Sequence, residues 1–241
     1  MCPRLTATQH GGDHRVAGDL EMQIRSLGLM RYSDALSLME ECHLSLVQNP
    51  ALEDVILIVE HLPVVTMGLR ERSADLITPE QLLKDSGVDF QRIDRGGSVT
   101  VHEPGQLVLY PLIRVDSRFL TVRRLVWALE EIMILECARW GIEAARDSIN
   151  PGVWVGRDKV GAIGVRVSNH VSKHGLALNV RNSLQTFSHI IPCGIQQRGV
   201  ASLAQLNSIL AEESLLEMGQ RMAADLSKII STFRESSDPA E

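Results

Sequence analysis

The chain has 241 residues, 44% of them hydrophobic, which supplies enough apolar material for one substantial core. A formal net charge of -6 makes the molecule as a whole repel nucleic-acid phosphates and anionic lipid, so neither is a natural partner. The longest apolar runs, such as Val55-Ile56-Leu57-Ile58-Val59, fall far short of the roughly 20 residues of a bilayer span, and the N-terminus lacks a signal-peptide pattern, so the expectation is a cytoplasmic protein.

Residues 1–20 mix Gly11-Gly12, histidines and charges without periodicity and read as a flexible extension outside the fold. From Tyr32, the apolar positions Ala35, Leu38, Met39, Cys42 and Leu46 recur at helical spacing and stop before Pro50. The β-branched run 55–61 suits a buried strand, and Thr78-Pro79-Glu80-Gln81 offers an N-cap, a proline at the first helical position and a capping-box glutamine. Strands are expected over 90–93 and 99–101, divided by Gly96-Gly97, and over 106–112 after Pro104-Gly105. A second long helix spans about 121–140, where Val122, Val126, Leu129, Met133 and Cys137 mark one face and Gly141 ends it. Then come 153–155 and 160–167, a hairpin around Gly156-Arg157-Asp158, and a strand over 175–180. The last helix covers about 212–233 with Leu215, Met218, Met222, Leu226 and Ile229 on one face. With no internal repeat or long linker, residues 21–234 read as one domain and 235–241 as a polar tail. Helices interleaved with hairpin-like strands predict an α+β class with a mixed sheet.

Four cysteines (Cys2, Cys42, Cys137, Cys193) without a C-x-x-C pair argue against a disulfide framework and a cysteine zinc site, and separate thiols are expected. Cys193 stands in Ile190-Ile191-Pro192-Cys193-Gly194, where proline and glycine fix a sharp turn that can project a nucleophilic thiol; an ordinary buried thiol fits the same setting. Lys159 begins a strand and precedes the small residues Val160-Gly161-Ala162-Ile163-Gly164, which leave room for a ligand; a solvated strand-end lysine is the plainer alternative. An ammonium beside a thiol favours the thiolate, so the two together would form an activated nucleophile. Arg95-Gly96-Gly97-Ser98-Val99-Thr100-Val101-His102 combines a permissive turn with polar side chains suited to wrapping a ligand. His170 and His174 have i,i+4 spacing but fall in a turn before a strand, and no phosphate-cradling glycine motif occurs, so no metal or nucleotide cofactor is expected.

Taken with their intervals, four segments resemble the lipoyl(octanoyl) transferase family: Glu60-His61-Leu62-Pro63; residues 95–102 with Pro104-Gly105-Gln106; residues 159–164 with His174-Gly175-Leu176-Ala177-Leu178-Asn179; and Pro192-Cys193-Gly194. The resemblance implies a biotin/lipoate ligase-like catalytic domain, with a mixed, largely antiparallel sheet flanked by helices. It implies that Cys193 carries an acyl thioester and that Lys159 lowers the thiol pKa and shuttles protons. It further implies that Arg95, Gly96, Gly97, Ser98, Val99, Thr100, Val101 and His102, then Ala162, Ile163 and Gly164, and Gly175, Leu176 and Ala177, line the acyl pocket. The donor would be octanoyl-acyl carrier protein, delivered on its phosphopantetheine arm without ATP or metal. The acceptors would be lysines of the lipoyl domains of 2-oxoacid dehydrogenases and of the glycine-cleavage H protein.

The chain departs from the family's usual pattern at Val101, Glu103, Ile191 and Ala201. Glu103, commonly glycine, is the most consequential, because a carboxylate near the site would compete for Lys159. Docking of an acidic carrier calls for a local basic patch, for which Arg70, Arg72, Arg123 and Arg124 are the candidates. Two rivals are weighed beside this reading: an ATP-dependent lipoate or biotin ligase on the same fold, and a noncatalytic protein that only holds the acyl arm.

Overall fold

A run in which every residue is apolar suits a strand covered on both faces, because successive side chains point to opposite sides. The computed structural model, which describes residues 14–15, 22–71, 73–116, 118–191 and 198–236, shows this at the centre of the molecule. In chain order the elements are β1 (His14–Arg15), β2 (Gln23–Met30), α1 (Tyr32–Gln48), β3 (Val55–His61), β4 (Val64–Met67), α2 (Glu80–Asp85), β5 (Asp89–Arg92), β6 (Val99–His102) and β7 (Gln106–Leu112). They continue with α3 (Val122–Arg139), β8 (Ala145–Arg146), β9 (Val153–Val155), β10 (Asp158–Ser168), β11 (Val171–Asn179), α4 (Leu203–Leu206) and α5 (Leu215–Glu235).

Among the described residues an eight-stranded sheet runs β1-β2-β3-β7-β11-β10-β9-β8, and a three-stranded sheet runs β5-β4-β6. In the large sheet only β2 and β3 pair in parallel, so the expected mixed, mostly antiparallel architecture holds. Val55, Leu57 and Val59 of β3, with Val108, Tyr110 and Leu112 of β7, pack under α1. Their alternates Ile56, Ile58, Leu107 and Leu109 pack on the opposite face with α3 and α5. Each such buried side chain stabilises by about 1.5–3 kcal/mol, so a one-residue slip would misplace the whole set and the register is fixed. The small sheet has its own core, in which Val65, Met67, Val99 and Val101 meet Leu83, Phe187 and Ile190.

The long helices and central strands fall where the periodicity puts them, and two differences have physical reasons. Gln23–Met30 reads as no strand because its burial does not alternate and its register shifts between Ser26 and Gly28. The helix near Thr78 begins at Glu80 with Pro79 at the N-cap, because the Thr78 hydroxyl is bonded to His189 Nδ1 at 2.9 Å instead of capping, and Gln81 donates to Asp85. Cys42 is disulfide-bonded, which corrects the expectation of separate thiols. Within the segment read as an extension, His14–Arg15 pairs with Gln23 and Ile24. No described helix is long and apolar enough to cross a membrane.

Candidate active site

The hairpin β10–β11 forms the floor of a cavity, and its register sets Ala162 beside Ala177 and Gly164 beside Gly175. Small residues are needed there because the chain crosses over them. Gly96 donates its N–H to the Val165 carbonyl at 3.1 Å, and a Cβ on Gly164 would lie 2.9 Å from the Gly96 oxygen. A Cβ on Gly175 would drive into the Leu109 carbonyl of β7. The crossing loop turns at Gly97, whose φ of 90° is open to glycine and strained for other residues.

Between loop and hairpin lies an open cavity whose space, counting that continuous with solvent, is about 530 Å³. Its wall brings together Lys159 and twelve of the expected contacts: Arg95, Gly97, Ser98, Val99, Thr100, His102, Ala162, Ile163, Gly164, Gly175, Leu176 and Ala177. Gly96 and Val101 are corrections: Gly96 pairs with β10, and Val101, fully buried, points into the core of the small sheet. Tyr32, Tyr110 and His174 also line the cavity and were not anticipated. A second cavity of about 320 Å³ shares Val99, Thr100, Lys159, Ala162 and Ala177 with the first and extends to Phe187 and Val200. Lys159 and the Ala162–Ala177 pair thus stand where the two meet.

Lys159 is only 7% exposed. Its backbone N–H donates to Gly199 O at 3.0 Å and its carbonyl accepts from Ala201 N at 3.1 Å, so β10 is stitched there to the chain that follows residue 197. At the other end, Ile191 N–H donates to Asp75 O at 2.8 Å, and Ile190 belongs to the core of the small sheet beside Val99 and Phe187. Pro192, Cys193 and Gly194 lie between these anchors, outside the described residues. So does Arg72. Arg70, in the bend after β4, and Arg123, on α3, are exposed, and Arg124 donates to Phe119 O at 2.9 Å.

Most polar groups around the cavity are bonded to the protein itself. The Arg95 guanidinium donates to Thr66 O at 2.8 Å and to Gly96 O at 3.0 Å, pinning the loop to β4. Ser98 Oγ donates to Asp75 at 2.6 Å, and His102 Nδ1 shares a hydrogen bond with Gln106 at 2.7 Å. His61 and Tyr110 share one of 2.7 Å. Burial depresses the pKa of His61 to about 4 and holds His102 and His174 below the usual imidazole range, so all three are neutral at pH 7. Asp94 joins Lys173 Nζ at 2.9 Å to His174 Nε2 at 2.9 Å. Burial pushes its carboxyl up, but hydrogen bonds from His174 and Lys173 outweigh that and hold it at about 2.

Glu103, buried at 3% exposure, accepts from Asn182 Nδ2 at 3.0 Å, Leu184 N at 2.6 Å and Thr186 N at 3.2 Å. Its carboxylate therefore organises the turn at Leu184, where φ is 63°, on the approach to the Cys193 segment. Glu103→Ala leaves these donors without an acceptor and is expected to cost about 2–4 kcal/mol, with Glu103→Gln milder. A shift of the urea midpoint with unchanged slope checks this.

Comparison with known proteins bears on what such a site does. Residues 31–226 match the family model described as the lipoyl protein ligase A/B catalytic domain. The chain is 41% identical over 189 residues to an octanoyltransferase of Caldicellulosiruptor saccharolyticus, covering 78% of this chain and 80% of that protein. In structure it is similar to the bi-partite lipoate protein ligase of Thermoplasma acidophilum (TM-score 0.61, 12% identity, 86% and 92% of the two chains). It is also similar to the biotin protein ligase of Aquifex aeolicus in complex with biotin and ATP (TM-score 0.55, 14% identity, 89% and 72%). At these identities the structural likeness is one of fold.

Proposed function

The chain belongs to the lipoyl protein ligase A/B catalytic-domain family and is an acyltransferase of the octanoyltransferase kind, acting in protein lipoylation, and we propose that it works through a thioester on Cys193. The Cys193 thiolate attacks the carbonyl of an octanoyl thioester on acyl carrier protein, the carrier sulfur leaves, and Lys159 supplies its proton. A lysine amine of a lipoyl domain, or of the glycine-cleavage H protein, then attacks the acyl-enzyme. The amide forms, the bond to Cys193 breaks with the sulfur leaving as thiolate, and the proton shed by the amine restores the Lys159 ammonium. The donor thioester carries the free energy of acylation, so the reaction needs neither ATP nor metal. The observation that carries this reading is that the chain beyond Cys193 is bonded at Gly199 and Ala201 to Lys159, and Val200 between them lines the cavity that Lys159 also lines.

The test is mass spectrometry after mixing the protein with octanoyl-loaded carrier, free octanoate plus ATP being the control. A carrier-dependent adduct on Cys193 supports the transferase; release of AMP with no adduct supports a ligase. An apolar cavity selects chain length weakly, since each buried methylene stabilises by about 0.8 kcal/mol and one more or fewer discriminates by roughly 1–3 kcal/mol. Ala177 touches both cavities, so Ala177→Leu is expected to cut octanoyl transfer about 10- to 100-fold while sparing short-chain donors. Competition among donors of different length, read by the mass of the adduct, checks this.

A further inference from the structure

Lys159 and Trp154 face each other across the antiparallel β9–β10 pair, where directly opposed side chains share one side of the sheet. The lysine Nζ lies 5.3 Å from the centre of the indole, which is buried, so the attraction between cation and ring acts with little competing water. The indole N–H donates to Asn150 O at 3.1 Å, which fixes the plane of the ring. The same ring carries the Arg198 guanidinium, its carbon 4.1 Å from the centre, and Arg198 is ion-paired with Asp147. One indole therefore touches both the lysine and the residue at which the described chain resumes beyond Cys193.

The aliphatic stem of Lys159 is confined as well. It passes over Gly152, where φ is +127° and a Cβ would drive into the Gly161 carbonyl and lie 2.5 Å from Lys159 Cε and 3.1 Å from Nζ. No side chain fits between them. Gly152 is held in turn by its N–H, which donates at 2.9 Å to the buried Glu130, whose other oxygen accepts from Arg146 Nε at 3.1 Å. Helix α3 thus fixes the backbone over which the lysine lies.

We infer that Gly152 and Trp154 are positioning residues that set where the Lys159 ammonium stands, Gly152 by leaving a channel for its stem and Trp154 by holding its charge. The inference rests on the reading of Lys159 as the proton-handling partner of Cys193. A ring that merely fills the core would affect melting alone, whereas a ring that acts through Lys159 must alter thiol reactivity.

The measurement is the rate of iodoacetamide labelling of Cys193 against pH, by peptide mass spectrometry, with a thermal melt for each protein. Lys159→Ala is expected to move the midpoint upward. Trp154→Leu should move it the same way by roughly half to one pH unit, and Trp154→Phe, which keeps a ring, should restore most of the difference. In the Lys159→Ala background, Trp154→Leu should add nothing. Trp154→Met replaces Trp154→Leu should the latter fail to melt cooperatively, and Gly152→Ala, which leaves the ring in place, should also raise the midpoint. An unmoved midpoint in the ringless variants while Lys159→Ala shifts overturns the inference, as does an equal shift in the Lys159→Ala background. An unmoved midpoint in Lys159→Ala itself overturns the underlying reading of the lysine, a result distinct from both.

Discussion

Cys193→Ser is expected to abolish the octanoyl adduct that wild-type protein acquires from octanoyl-loaded carrier, and to lower transfer by about three orders of magnitude or more. Serine keeps the size and position of the side chain but replaces a thiol of pKa about 8.5 by a hydroxyl that is scarcely ionised at neutral pH. Lys159 cannot close that gap, because an adjacent ammonium shifts a pKa by a few units at most. The acceptor amine would then have to attack the carrier thioester directly, without the intermediate that divides the reaction into two easier steps. Intact-mass measurement and a transfer assay with a lipoyl domain give independent readouts. Transfer at near wild-type rate in the serine variant would show that the acyl group never passes through residue 193, and the ping-pong scheme would be abandoned.

Periodicity alone made the central strands and long helices legible, because burial on two faces leaves continuous apolar runs and burial on one leaves a helical stripe. The run 55–61 and the stripe of α1 needed no tertiary information. β4 escaped because four residues directly after Pro63 form too short a run to separate from a turn. Part of the cavity wall was legible for a different reason: the small residues 160–164 mark close backbone approaches, and the structure puts a carbonyl against Gly164. Gly175, Leu176 and Ala177 came only from the family resemblance, since inside an apolar strand they read as ordinary core. Tyr32 and Tyr110 were hidden, since a tyrosine opening a helix or inside an apolar strand reads as ordinary core, and His174 stood in a matched segment without a role assigned to it. The bonds of Glu103 lie with residues 79–83 positions further along the chain, a relation no local pattern encodes. Trp154 and Gly152 were legible as a strand and its flank; their relation to Lys159 needed the register of β9 on β10.

Lys159→Ala is expected to reduce transfer at least about tenfold at pH 7, and the size of the deficit should depend on pH in a way that separates two roles of the amine. An ammonium near Cys193 lowers the thiol pKa, so its removal raises that pKa and shrinks the thiolate fraction at neutral pH. With a thiol of pKa about 8.5, only about 3% is ionised at pH 7, and each further unit of increase costs another factor of ten. Between pH 7 and pH 9.5 the variant's thiol ionises, so the share of the deficit due to ionisation should close as pH rises. Proton delivery to the departing carrier sulfur, and collection from the attacking amine, are lost at every pH; positioned acid–base catalysis contributes about 10²–10⁴-fold where it operates. A deficit that vanishes at pH 9.5 would assign the lysine to ionising the thiol alone, and one that narrows to a constant remainder would assign it both roles. A profile parallel to wild type from pH 6.5 to 9.5 would deny it any part in ionising Cys193. The lysine, which lines both cavities, would then act only on the leaving and attacking groups.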